Sequence, residues 1–123
     1  MGSTPLNLND QETVSLGRLF GLLAEPNRLR ILLLLCDGEM NVSALCAALD
    51  IPQPTVSHHL ALLRRSNLLE GRRSGKMIHY GLSDRVQCAD RGELTIRSLP
   101  GFRVRIGRHG ITPESNTDQS AGA

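Results

Sequence analysis

Between Gln53 and Lys76 the chain combines hydrogen-bonding side chains and cations in a pattern suited to reading a polyanion. Gln53, Thr55, Ser57 and His58 are compact polar groups able to meet the donors and acceptors on base edges. Arg64, Arg65, Arg72, Arg73 and Lys76 stand in residues 51–80 against a single carboxylate, Glu70. Residues 1–50 have the opposite balance, with Arg18, Arg28 and Arg30 against Asp10, Glu12, Glu25, Asp37, Glu39 and Asp50. A formal net charge of +2 therefore conceals a basic segment inside an acidic surrounding. Such a segment is either a face built for nucleic acid or an ordinary solvated charge run.

Other chemistries find little support. The 123 residues contain no recognisable nucleophile triad, Gly-rich phosphate loop or paired carboxylates, so an enzyme is not expected and no cofactor is implied. His79, Asp84 and His109 lack metal-ligand spacing, and no metal site is expected. Phe20, Tyr80 and Phe102 are the only aromatics, too few to stack single-stranded bases, which argues against RNA. The longest apolar run, Ile31 to Cys36, falls far short of the roughly 20 residues that cross a bilayer, so no membrane contact is expected. Three cysteines, an odd number, suit a reducing cytoplasm better than a disulfide scaffold.

The chain has the length of one domain, placed at residues 9–107, with mobile tails expected at 1–8 and 108–123. Asn9 and Glu12 have capping-box spacing, and Leu16, Leu19, Phe20 and Leu23 form one stripe of a first helix. Pro26 opens a second helix, with Leu29, Leu32, Leu33 and Cys36 on a stripe and Ile31, Leu34 and Leu35 covering other sides. A short third helix, capped by Asn41, turns Val42, Leu45, Cys46 and Leu49 inward. After the turn Asp50-Ile51-Pro52 a fourth helix buries Val56, Leu60 and Leu63, which leaves Gln53, Thr55, Ser57, His58, Ala61 and Arg65 outside. His59 falls on the packed side and reads as structural. Alternation of Ile78, Tyr80 and Leu82 makes a strand, paired with Leu68 to Arg73 through a basic tip, Arg73-Ser74-Gly75-Lys76. The fold class is mainly α with a small β component, a winged helix-turn-helix.

Beyond the wing, Ser83 to Asp90 has room for at most a short helix, and residues 93–98 and 102–106 read as an extra C-terminal hairpin. Its register follows from arithmetic. A two-residue loop mixes apolar and charged faces, whereas a three-residue loop, Leu99-Pro100-Gly101, pairs Ser98 with Phe102, Ile96 with Val104 and Leu94 with Ile106. Arg97, Arg103 and Arg105 then share the other face.

From about Leu22 to Leu82 the sequence resembles the ArsR/SmtB family of bacterial winged-helix repressors. The residues that carry it are Leu23-Ala24-Glu25-Pro26-Asn27-Arg28-Leu29-Arg30-Ile31-Leu32, Gln53-Pro54-Thr55-Val56-Ser57-His58-His59-Leu60 and Leu62-Leu63-Arg64. The resemblance implies a homodimeric repressor on a palindromic operator in double-stranded DNA, released by a metal ion, a metalloid or a thiol oxidant. It departs from the family in three respects. Pro52 stands where a capping Ser is usual. Asn41 and Ser43 replace the thiolates of metalloid sensors, so zinc, arsenite and antimonite are not expected to act. The family's fifth, subunit-pairing helix is not visible, which assigns dimerisation to the first helix together with the C-terminal segment.

Redox-sensing relatives place a thiol pair in the second helix and after the wing, the regions of Cys36 and Cys88, which makes that pair a possible switch if the two Cα atoms come within about 4.4–6.8 Å. Spacing gives neither their separation nor their exposure, and the plainer expectation is that these cysteines pack and that control is exerted otherwise. The sequence thus points to a sequence-specific, dimeric DNA-binding repressor with Gln53, Thr55, Ser57, His58, Arg64, Arg65, Arg72, Arg73 and Lys76 at the DNA. The alternative is a winged-helix protein-interaction module, which would be expected to show an aromatic or Leu anchor on the fourth helix.

Overall fold

A computed structural model describes residues 7–89, 92–98 and 101–107. In chain order the elements are α1 (Asp10–Leu23), α2 (Pro26–Leu35), β1 (Met40–Asn41), α3 (Val42–Leu49), α4 (Gln53–Arg65), β2 (Leu69–Ser74), β3 (Met77–Leu82), β4 (Val86–Cys88), β5 (Leu94–Ser98) and β6 (Phe102–Ile106). The tails expected at 1–8 and 108–123 lie outside the described residues, apart from residues 7 and 8.

The helices α1, α2 and α3 start where a side chain satisfies a free N–H group. The Asn9 side chain accepts from the Glu12 amide at 2.8 Å while Glu12 Oε1 accepts from the Asn9 amide at 2.9 Å. Glu25 caps α2 by accepting from the Asn27 amide at 2.6 Å, with Pro26 in the first turn. Asn41 Oδ1 accepts from the Ala44 amide at 2.8 Å to start α3. Asp50, in left-handed conformation at φ 56°, ends α3 and turns the chain into α4. At the start of α4, Pro52 provides no side-chain cap.

An aliphatic core of Ile31, Leu32, Leu45, Val56, Leu60, Leu63 and Leu68 sits among α2, α3, α4 and the start of the wing. Two expected core residues face out instead. Phe20 is 52% and Leu33 47% exposed: α2 is apolar on several sides and buries only some of them, and α1 buries the Leu19 and Leu23 part of its stripe, which leaves Phe20 at the edge. In α1 the buried side is Leu19 and Leu23. In α2 it is Ile31, Leu32 and Leu35.

Two three-stranded antiparallel sheets complete the fold, in the orders β1-β3-β2 and β4-β5-β6. In the first, Ser74 pairs with Met77, so the wing turns on Gly75 and Lys76. In the second, Ser98 pairs with Phe102, Ile96 with Val104 and Leu94 with Ile106, the register of a three-residue loop. Gly101 has φ 104°, a backbone conformation that a side chain resists. The short helix considered for residues 83–90 does not form. Val86–Cys88 is a strand that pairs with β5, Val86 opposite Ile96, and this burial of Val86 outweighs any helical preference of so short a segment. Leu94 and Ile96 are fully buried and join the same core. Ile96→Ala should therefore cost about 2–5 kcal/mol in urea unfolding, whereas Arg103→Ala on the exposed face should change stability by less than about 0.5 kcal/mol.

Beneath α4 a polar contact joins three helices. His59 is only 6% exposed. Its Nδ1 lies 3.4 Å from Arg28 Nη1 and its Nε2 3.7 Å from Glu25 Oε1. Arg28 Nε in turn donates to the Leu22 carbonyl at the end of α1, at 2.6 Å. An unprotonated Nδ1 can accept from Arg28, and burial pushes the imidazole below its ordinary value, with Arg28 and His58 adding to the effect and Glu25 opposing it. Because the folded pKa is depressed, the unfolded chain binds more protons in acid, and stability falls as pH drops below the usual imidazole value of about 6.5. Thermal unfolding between about pH 7.5 and 5 should show this loss. His59→Gln, which keeps an acceptor for Arg28 but cannot titrate, should make the loss markedly smaller.

Candidate DNA interface

Burial of Val56, His59, Leu60 and Leu63 fixes the rotation of α4 about its axis. Gln53, Thr55, Ser57, His58, Ala61 and Arg65 are all exposed on the opposite side. None is bulky and apolar, so this side of the helix has the size and polarity that a major groove about 12 Å wide admits. The uncapped N-terminus adds amides and the positive end of the helix dipole next to Gln53.

The structure brings the helix and the wing together around Tyr80, a residue the sequence reading had not singled out for the site. A groove of about 260 Å³ is lined by Gln53 of α4, Lys76 of the wing tip and Asn41, Ser43 and Tyr80 among others. A second, of about 490 Å³, is lined by Ser57, Ala61, Arg64, Arg65 and Tyr80 among others. Thr55 and His58 stand exposed on α4 and line neither groove.

The five cations differ in how free they are. Arg65, Arg73 and Lys76 are exposed and make no ion pair among the described residues. The Arg64 guanidinium lies against the wing: a Cβ added at Gly71 would stand 3.2 Å from Arg64 Nη1. Arg72 is held by Glu39, with Nη2 2.7 Å and Nε 3.2 Å from Oε1. The hydrogen bond from Arg72 keeps the Glu39 carboxyl below its ordinary value and raises the guanidinium above its own.

Cys36, at the C-terminal cap of α2, and Cys88, at the end of β4, form a disulfide with a Cα separation of 5.8 Å. The plainer reading of both as packing residues therefore gives way to a covalent tie between the helical core and the second sheet. Spacing could not reveal it, because β4 was itself not legible. Cys46 is free and half-buried. Asn41, in a thiolate position of metalloid sensors, is occupied as the α3 cap. Among the described residues no three His, Cys, Asp or Glu side chains cluster as metal ligands. No described helix is long and apolar enough to cross a membrane.

The family model for bacterial regulatory proteins of the arsR family matches residues 25–70, from the α2 cap into β2. The chain is 53% identical over 70 residues to the arsenical resistance operon repressor of Escherichia coli K12, covering 56% of this chain and 60% of that protein. It is 37% identical over 84 residues to the biofilm growth-associated repressor of Agrobacterium fabrum, covering 68% of this chain and 72% of the relative. Among solved structures, reduced HlyU from Vibrio cholerae superposes with a TM-score of 0.57 at 33% identity, covering 61% of this chain and 79% of that one. The homodimeric winged helix-turn-helix DNA-binding domain of Mb0332 from Mycobacterium bovis gives 0.53 at 31% identity, covering 63% and 75%. These proteins are transcriptional regulators, not enzymes. With the helix-turn-helix, the wing and the matched motifs in agreement, the chain belongs to the ArsR family of bacterial regulatory proteins.

Proposed function

We propose that the protein is a cytoplasmic homodimeric repressor that binds a palindromic operator in double-stranded DNA. The observation that carries this reading is the two-sided α4, buried on one stripe and polar and exposed on the other, beside a wing tip whose Arg73 and Lys76 make no ion pair among the described residues. Gln53, Thr55, Ser57 and His58 face base edges in the major groove. Arg64, Arg65, Arg73 and Lys76 neutralise phosphate on either side. The relatives named as repressors, in Escherichia coli and Agrobacterium fabrum, support the direction of control. The rival reading, a protein-interaction module, lacks the aromatic or Leu anchor that a partner surface would need on α4.

A palindrome needs a two-fold partner. The outer side of α1 offers Val14 and Phe20, each 52% exposed, around Gly17 and Gly21, where an added Cβ would meet nothing within 4 Å. A second α1 can approach this side closely, and the domain of the Mycobacterium bovis relative, which is homodimeric, supports pairing of two copies. After the wing, where the family's usual fifth helix would follow in chain order, this chain forms the second sheet.

On this reading the signal is thiol chemistry. Oxidation joins Cys36 to Cys88 with loss of two protons and two electrons, and it fixes β4 to the end of α2. The ring so closed spans 52 residues, for which loop-closure entropy is about 4 kcal/mol, a large share of a typical domain stability of about 5–15 kcal/mol.

Binding sites selected from random duplexes should be recovered as an inverted repeat, with an affinity that falls steeply with salt; salt-independent binding to every pool would overturn the repressor reading. His58→Ala and Gln53→Ala should alter sequence preference, while Arg73→Ala and Lys76→Ala should weaken all sequences alike and each reduce the salt slope by about 1 per protomer. Titrating a preformed complex with oxidant should release the DNA, and Cys36→Ser or Cys88→Ser should abolish that response. Micromolar zinc, arsenite or antimonite should release nothing. Oxidant release that survives both substitutions, or stoichiometric release by a metal, would contradict the thiol assignment.

A further inference from the structure

Arg72 lies on the wing, yet its hydrogen bonds run back across the sheet. The β1–β3 register pairs Met40 with Tyr80 and Asn41 with His79, which sets Glu39, one residue earlier, level with Gly81. The β2–β3 register sets Glu70 against Gly81 and Arg72 against His79. Glu39 and Arg72 therefore belong to the two chains that flank β3, roughly 10 Å apart across it by ordinary strand spacing. Their side chains meet over the middle strand, and the crossing point is Gly81. A Cβ there would stand 3.2 Å from Glu39 Cγ and 3.6 Å from Oε2, so any side chain would obstruct the lane that the Glu39 carboxylate occupies.

The pair does little for stability. Its side chains are 59% and 44% exposed, and ion pairs so open to water contribute little to folding. Its geometry is nevertheless that of phosphate recognition, since a guanidinium donates two N–H groups to one anionic group. Glu70 shares the face, but the Arg72 side-chain hydrogen bonds among the described residues go to Glu39. His79, also on this face, adds to the forces that keep the Glu39 carboxyl ionised.

We propose that Glu39 is a positioning residue for DNA binding: it occupies the Arg72 guanidinium as an internal substitute for phosphate, through the lane left by Gly81, so that the wing engages DNA with Arg73 and Lys76 and not with Arg72. This rests on the DNA-binding reading of the wing. It assigns Arg72 a different role from the phosphate contact that its charge and place in the sequence had suggested. A carboxylate on the same chain is always at hand, whereas a DNA phosphate must displace it from outside. Glu39 thereby subtracts one cation from each wing and restrains the non-specific part of the affinity, which is the part that charge supplies.

The test is the salt dependence of the full chain on its selected duplex, between about 50 and 200 mM salt. Glu39→Gln frees Arg72, so the slope should steepen by about 0.9 per protomer and low-salt affinity should rise several-fold. Arg72→Gln alone should leave the slope unchanged, and the double variant should return to the parental slope. Gly81→Val should behave as Glu39→Gln does with the carboxylate still present, and Glu39→Asp should keep more of the parental slope than Glu39→Gln. A flatter slope in Arg72→Gln, with none of this change in Glu39→Gln, would show that Arg72 leaves Glu39 for phosphate and would overturn the proposal. Equal loss of affinity in both single variants at constant slope would also overturn it, because that is the signature of a merely structural pair. Thermal unfolding of each variant verifies that it is folded. Absence of salt-dependent binding in the parent protein would instead indict the DNA reading itself, so the two failures are distinguishable.

Discussion

Val56, Leu60 and Leu63 must leave water, and this one requirement orders much of the molecule. Each loses all or nearly all of its exposure, at 0%, 2% and 0%. Because an α-helix turns by about 100° per residue, fixing that stripe also fixes which residues face away from it. Gln53, Thr55, Ser57 and His58 are then exposed as a set, with no further interaction needed to aim them. The residues that receive the stripe, Ile31, Leu32, Leu45 and Leu68, come from α2, α3 and the entry to the wing, so the core that orients α4 also sets the wing beside it. Hydrophobic burial supplies the orientation, and polar groups supply what is presented.

Two polar contacts then act in different parts of this helix-and-wing unit. Beneath α4, Arg28 links the buried His59 to the end of α1, while Glu25 caps α2 and faces the same imidazole. A group so enclosed has to be satisfied locally, and protonation places a donor against a donor. On the wing, Glu39 and Arg72 are open to solvent and contribute little to folding, and on our proposal they set how much positive charge the wing presents. The first contact concerns the stability of the frame. The second concerns affinity.

Much of the fold was legible because short-range rules decided it. Asn9 with Glu12 and Asn41 ahead of α3 are local capping signals, and the structure satisfies both. The register of β5 and β6 could be computed because one choice buried an apolar face and the other did not. The reading failed where tertiary context chose among equivalent patterns. Apolar residues surround α2, so nothing local tells that Leu33 is the one left exposed, and on α1 the stripe does not tell that Leu19 and Leu23 are buried while Phe20 is not. Val86–Cys88 is too short to show alternation and becomes a strand only because β5 lies beside it. At the candidate interface the side of α4 was readable from periodicity, but Tyr80 as its junction with the wing was not. Glu39 and Arg72 are 33 residues apart and Cys36 and Cys88 are 52 apart, separations at which sequence pattern carries no pairing information.

The central claim is that the exposed side of α4 enters a major groove. Dimethyl sulfate methylates guanine N7, which lies in the major groove, and adenine N3, which lies in the minor groove. On a selected duplex at saturating protein, the account predicts guanine N7 protection in two clusters about one helical turn apart, symmetric about the centre of the site. Protection confined to adenine N3, or none at either position while the complex is demonstrably formed, would contradict it.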